Sequence, residues 1–269
     1  MRKFSRAASS IVVSIFLLTL ISSNAAYSLG LDISMQRKSG GVVGVKVSGA
    51  SNKRLQIGVY ASEKDATYFL PYRKDDAEID VPLMFGNGKY VISLFEEINN
   101  NYYSPVDSYA FDFQLRDYED VYLSSSVIVP WRGAEKTVAK AAELTAGIKG
   151  DSDKFYAIYK YITENVRYDI SKETEAGYRS RPDATLEDGS GICLDLAVLL
   201  ASMARSSGVK CKLVYGYAYG SGILHSWNEV YVKRKWIVVD PTMDSHCFVS
   251  RIPYSYSKKA ADYESVYSF

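Results

Sequence analysis

Between about Leu31 and Leu115 apolar residues recur at every second position, the period of a half-buried strand. Val43, Val45 and Val47 alternate with small or polar neighbours, and Leu55-Gln56-Ile57-Gly58-Val59 follows the same pattern. Two further runs, Tyr90 to Phe95 and Tyr109 to Leu115, repeat it. Gly40-Gly41, Ser51-Asn52 and Gly86-Asn87-Gly88 punctuate the runs with turn chemistry. Short strands at this spacing predict an antiparallel β-sandwich-like domain over residues 27–118. It holds no catalytic constellation. Its aromatic-rich stretch from Asn99 to Tyr109 reads as a partly buried set of tyrosines, with a binding edge as the other reading.

After Tyr118 the period changes. A helical pattern runs from Ala134 to Ala146 and stops at Gly147. A second begins near Ser152, with Asp151 or Ser152 as its cap, and sets Phe155, Ile158, Tyr159 and Ile162 on one core-facing stripe. Residues 169–190 are polar and irregular and predict a long surface loop. From Cys193 to Ala204 only Asp195 and Ser202 interrupt an apolar run, which predicts a buried helix ending before Gly208. Then Ile223 to Val232 and Trp236 to Asp240 read as two strands joined at Lys233-Arg234. The expected class is α+β, with residues 119–269 forming a second domain in which a central helix packs on an antiparallel sheet.

The N-terminus stands apart. Arg2, Lys3 and Arg6 precede an apolar run from Ile11 to Ile21, and small residues follow through Ala25 and Ala26. This pattern reads as a secretory signal peptide over residues 1–26; an N-terminal membrane anchor is the other reading. No later stretch is apolar enough to cross a bilayer as a helix. The expected setting is therefore secreted or cell-envelope, with no membrane span after signal removal. A formal net charge of +1, with no cluster of Lys and Arg on one element, argues against nucleic acid as a partner.

Cys193 is the first candidate for chemistry. At the first turn of a helix, unpaired N–H groups and the positive end of the dipole favour the thiolate, which is the nucleophilic form. The dipole contributes only about 0.3–1 kcal/mol at an exposed site, so a base is still required. The chain has 2 histidines. His225 lies on a strand and shares a face with Trp227, Glu229 and Tyr231 by alternation, whereas His246 follows Asp240-Pro241-Thr242 in an expected loop. If the Lys233-Arg234 turn has two residues, Val232 pairs with Lys235 and Asp240 falls on the His225 face as its diagonal neighbour. A three-residue turn would put Asp240 on the opposite face. Lys-Arg lacks the Gly or Asn that two-residue turns prefer.

Gly191-x-Cys193-x-Asp195-x-Ala197, His225-x-Trp227-x-Glu229-Val230, and Trp236 with Asp240-Pro241-Thr242 together resemble the core of the transglutaminase-like superfamily. The resemblance covers roughly Tyr118 to Asp244, with His225 following Cys193 by 32 positions and Asp240 following His225 by 15. It implies a papain-like core with a Cys–His–Asp triad. Cys193 would be the nucleophile, His225 the general base and acid, and Asp240 the group that orients the imidazole. It implies acyl transfer through a thioester on a protein or peptide substrate, or on a cell-wall or surface polymer. Water as acceptor makes a protease or amidase; a lysine amine makes a crosslinking transglutaminase. A catalytically idle surface-binding module is the third reading.

The neighbours have structural readings. Trp227 and Trp236 are expected to pack the sheet against the Cys193 helix, with Trp227 as a wall of the site the other reading. Glu229 is expected to be charge-paired, with a direct chemical role as the other reading, and Asp195 to stabilise the helix start. The 3 cysteines and 2 histidines do not make zinc spacing, so neither a metal nor a cofactor is expected. In an oxidising compartment Cys211 and Cys247 could pair and leave Cys193 free. The Tyr-rich stretch from Tyr254 to Phe269 reads equally as an ordered last element or an extension.

Overall fold

The computed structural model describes residues 29–172 and 178–269. The signal-peptide segment 1–26 lies outside the described residues, as do residues 173–177 of the expected 169–190 loop.

The first half is a pair of antiparallel sheets. Its strands are β1 (Gly30–Ser34), β2 (Val42–Ser48), β3 (Leu55–Ala61), β4 (Ala66–Tyr72), β5 (Ile79–Pro82), β6 (Gly88–Asn99) and β7 (Tyr102–Phe113). They assemble as β1-β2-β5 and β4-β3-β6-β7. The alternation seen in the sequence becomes burial: Val43 and Val45 from one sheet join Ile57, Val59, Tyr90, Ile92 and Leu94 from the other in one core. The aromatic stretch behaves differently from expectation. It forms the β6–β7 hairpin, and because β7 is an outer strand, Tyr102 and Tyr109 are exposed. β4 and β5 carry no clean alternation. β4 is also an outer strand, which is where a strand tolerates Pro71.

The second half supplies α1 (Glu135–Leu144), α2 (Asp151–Asn165), β8 (Arg167–Tyr168), α3 (Pro182–Asp188), β9 (Ser190–Gly191) and α4 (Cys193–Ser206). It continues with β10 (Cys211–Ala218), β11 (Leu224–Val232), β12 (Lys235–Val239), α5 (Pro241–Val249) and β13 (Tyr263–Ser268). The expected stripe on α2 is buried at all four positions, although its cap is Gly150, one residue before the expected caps. The 169–190 segment is not a plain loop. Pro182 at the first helical position starts α3, and Gly189 at φ 59° stops it, the asymmetry typical of short helices. β8 and β9 pair in parallel and deliver the chain to α4.

Four strands form an antiparallel sheet in the order β12-β11-β10-β13. The Tyr-rich tail is thus an ordered last element: β13 pairs along β10, with a register shift between Tyr215 and Gly216. α4 lies on one face of this sheet, and Asn228 Nδ2 donates to Ala197 O at 2.9 Å and to Lys212 O at 3.0 Å, pinning helix to sheet. From Asp195 to Arg205 every residue of α4 is buried. Buried residues of the sandwich and of this layer form one continuous cluster, joined where Tyr68 meets Phe269 edge-on at 5.3 Å.

The β11–β12 turn has two residues: Val232 pairs with Lys235 and Asn228 with Val239. Lys233 and Arg234 adopt left-handed φ values of 51° and 62°, the backbone that such hairpins require and that asparagine and glycine adopt more readily. Lys233→Asn with Arg234→Gly is therefore expected to stabilise the protein by about 1 kcal/mol, read as a higher urea midpoint. No gain at all would mean that the lysine and arginine side chains offset their backbone strain.

Candidate active site

α4 brings Cys193 to the sheet. The thiol is free, partly exposed, and sits on the first residue of the helix. Asp195, two residues on, is buried, and its Oδ2 accepts the Ile192 backbone N–H at 3.0 Å. This is half of a capping box and satisfies one donor ahead of the helix. The Tyr178 hydroxyl donates to the other oxygen, Oδ1, at 2.9 Å. Gly191 is needed for space, since a Cβ there would lie 2.5 Å from the Asp195 Cβ. The loop before Cys193 is therefore tied to the helix by one carboxylate.

β11 and the end of β12 bring His225 and Asp240 together. His225 Nε2 lies 2.9 Å from Asp240 Oδ2, leaving Nδ1 as the nitrogen available to Cys193, whose thiol interacts with the imidazole. Burial pulls the imidazole pKa down, but hydrogen bonds and charge from Asp240 and Cys193 outweigh it and push it up to about 10. The shift favours the protonated imidazole. Asp240 is fully buried and also caps α5, its Oδ1 accepting the Met243 N–H at 3.0 Å.

Two contacts to this group come from parts of the chain with no recognisable site motif. The Tyr263 hydroxyl, on β13, donates to Asp240 Oδ2 at 3.0 Å. Tyr215, on β10, is half-buried near Cys193; desolvation first, then the charges of Cys193 and Asp195, raise its phenol well above the ordinary value. Alternation puts Tyr215 on the same face as Leu213, but the pairing of β13 with β10, which shifts register between Tyr215 and Gly216, is not readable from the chain.

The competing histidine does not reach the site. His246 is exposed and lies on α5 rather than in a loop, since Asp240 as cap and Pro241 as first residue start a helix there. The tryptophans also depart from expectation. Trp227 packs with Val214, Val238 and Tyr263 and stacks near His225, and Trp236 lies under Lys212 with its Nε1 donating to Glu119 at 2.9 Å. Both occupy the sheet face away from α4, whose partners are Leu213, Val230 and Val239. Glu229 is charge-paired with Lys212 at 2.8 Å. Cys211 and Cys247 are both free thiols: Cys211 is buried in β10 with its pKa pushed up to about 12 by burial, and Cys247 sits on α5. Among the described residues no three potential metal ligands cluster.

A cleft of about 440 Å³ opens next to the start of α4. Its walls include Leu194 and Leu224, chain neighbours of Cys193 and His225, with Tyr215, Tyr68, Pro71 and Phe269. One wall thus comes from the edge strand β4 of the sandwich. Arg179 clamps that wall, its guanidinium bidentate on Asp76 at 2.8 and 2.9 Å, in an arrangement that fixes orientation as well as charge.

Residues 138–241, which contain Cys193, His225 and Asp240, match the family model of the transglutaminase-like superfamily. Kyphoscoliosis peptidase of Homo sapiens is 28% identical over 153 residues, covering 53% of this chain and 22% of the human protein. The chain thus spans about a fifth of the length of that relative. A candidate cysteine protease of Cytophaga hutchinsonii superposes with a TM-score of 0.45 at 17% identity, covering 81% of this chain and 77% of its own. The periplasmic domain of TgpA from Pseudomonas aeruginosa gives 0.41 at 14% identity, covering 83% and 95%.

Proposed function

We propose that this chain, whose residues 138–241 match the family model of the transglutaminase-like superfamily, is a thiol acyl-transfer enzyme that hydrolyses peptide or isopeptide bonds outside the cytosol. The observation that carries the reading is the placement of one imidazole between the Cys193 thiol and the buried Asp240 carboxylate. The Cys193 thiolate attacks the amide carbonyl carbon, and the oxygen that gains the electron pair is met by N–H groups at the start of α4. The His225 imidazolium then gives its proton to the leaving amine, the C–N bond breaks, and a thioester remains. Water adds to the thioester while His225 takes its proton, and the carboxylic acid leaves with regeneration of the thiolate. Asp240 holds the imidazole in the orientation that both proton transfers need.

Water as acceptor is supported by the name of the curated relative, a peptidase, and by a cleft whose walls are mainly apolar and aromatic and suit a polypeptide segment. The extracytoplasmic setting rests on the cationic and apolar N-terminus. No helix among the described residues is long and apolar enough to cross a membrane.

Mature protein exposed to a limiting iodoacetamide probe should label at Cys193 ahead of Cys211 and Cys247, and Cys193→Ala should remove that label. Unselective labelling would count against an activated thiol. Mass spectrometry of casein incubated with the protein and an amine donor then reads the acceptor. New peptide termini mean hydrolysis, whereas ammonia loss with amine gain means transamidation and overturns the choice of water.

A further inference from the structure

Asp240 Oδ2 carries two hydrogen bonds, and only one of them is to His225. The second comes from Tyr263, 23 positions further along the chain. We propose that Tyr263, backed by Tyr219, is a positioning residue for the thiolate–imidazolium pair, holding the Asp240 carboxylate at the angle from which it orients His225. The proposal rests on the triad reading above and adds two residues to it.

A carboxylate turns about its terminal torsion unless both oxygens are held. The Met243 N–H holds Oδ1. His225 cannot by itself hold Oδ2, because its own orientation depends on that same bond. Tyr263 supplies an independent anchor. Its ring is wedged between Trp227, with centroids 5.0 Å apart, and Tyr219, at 5.2 Å. Burial first, then the charge of Asp240, raise the Tyr263 phenol well above its ordinary range, so it stays a neutral donor. Its single hydrogen goes to Asp240, so in the 2.8 Å contact between the two hydroxyls Tyr219 must be the donor. The order is Tyr219 to Tyr263 to Asp240, with His225 on the other side of the same oxygen.

The backbone at Tyr219 supports this reading. Its φ is 54°, a left-handed conformation that an aromatic residue adopts at a cost of about 1 kcal/mol or more, although Gly220 follows directly. The Tyr219 N–H donates to Asp262 O at 2.7 Å, which brings the residue next to Tyr263 into register. Strain kept at a non-glycine residue whose side chain backs a buried carboxylate is strain with a use.

The test is the pH profile of Cys193 alkylation by iodoacetamide in the full chain, followed on the Cys193 peptide by mass spectrometry. Tyr263→Phe keeps the ring against Trp227 and removes only the donor. Its acid limb should move up by about one pH unit, with labelling near pH 5 about tenfold slower and labelling near pH 9 unchanged. Tyr219→Phe should shift the limb in the same direction by less. The other titratable groups around the pair are untouched in both variants: Cys193 and Asp195 on α4, Asp244 with its partner Lys258, Tyr159 on α2 and Tyr215 on β10. Equal rates near pH 9 show that the site is folded; if Tyr263→Phe fails that control, the exposed Tyr219→Phe decides. Profiles superimposable on the wild type overturn the proposal. A wild-type Cys193 that titrates as a single ordinary thiol near pH 8.5 would instead overturn the triad itself.

Discussion

His225→Ala is expected to slow alkylation of Cys193 at about pH 6 by about two orders of magnitude. The imidazole pKa, lowered by burial but raised more by Asp240 and Cys193, stands at about 10. A raised histidine pKa means that the imidazolium is present throughout the neutral range and is lost only as pH rises through that value. In the proposed mechanism that proton is the one the thiol gives up. An unassisted thiol, with a pKa of about 8.5, is only about 0.3% thiolate at pH 6. Without His225 the thiol retains the helix terminus alone, worth about 0.3–1 kcal/mol. A low-pKa thiolate is intrinsically somewhat less nucleophilic, which trims the ratio. Above about pH 9 the two proteins should converge, since the thiol then ionises unaided. Equal labelling of wild type and variant at pH 6 would remove the ion pair from the mechanism.

The second large effect is on Asp240. Asp240→Asn is expected to lower amide turnover by about 10³–10⁴ while leaving the unfolding midpoint within about 1 kcal/mol of the wild type. The reason is the sign of the groups around it. Oδ1 faces the Met243 N–H and can remain an oxygen, so the cap of α5 survives. The position of Oδ2 then becomes an amide nitrogen, a donor facing the Tyr263 hydroxyl and His225 Nε2. To avoid two donors meeting, His225 Nε2 must become the acceptor and move its proton to Nδ1, the nitrogen available to Cys193. That tautomer cannot take the thiol proton. Asp240→Ala should lose the cap as well, about 0.5–2 kcal/mol of stability by urea titration. Turnover of Asp240→Asn above a tenth of wild type would mean that orientation by Asp240 is not needed.

Much of this arrangement could be read from the chain because it is periodic or adjacent. The apolar run after Cys193 specified a buried helix, the α2 stripe held at all four positions, and alternation placed β2, β3 and β6. Elements missed in the sequence are those whose residue types do not follow their burial or whose helices are short. β4 has aromatics on both faces and a proline, β13 is a polar outer strand, and α3 and α5 are short helices marked by a proline at the first position, by the Asp240 cap of α5 and by the glycine after α3. Both tryptophans lie on the sheet face away from α4, Trp227 near His225. Alternation says which residues share a face, but not which face meets the helix.

The same division runs through the site. The sequence by itself placed Cys193 at a helix start, left His225 as the only strand-borne base, and put Asp240 beside it on condition of a two-residue turn. These are local facts, set by the periods of helix and strand. Tertiary structure alone decided that the turn accepts left-handed lysine and arginine, that Tyr178 braces Asp195, and that a tyrosine from the last strand reaches the Asp240 carboxylate. Such contacts depend on how separate elements pack, and no periodicity along the chain encodes the distance between residues that meet only after folding.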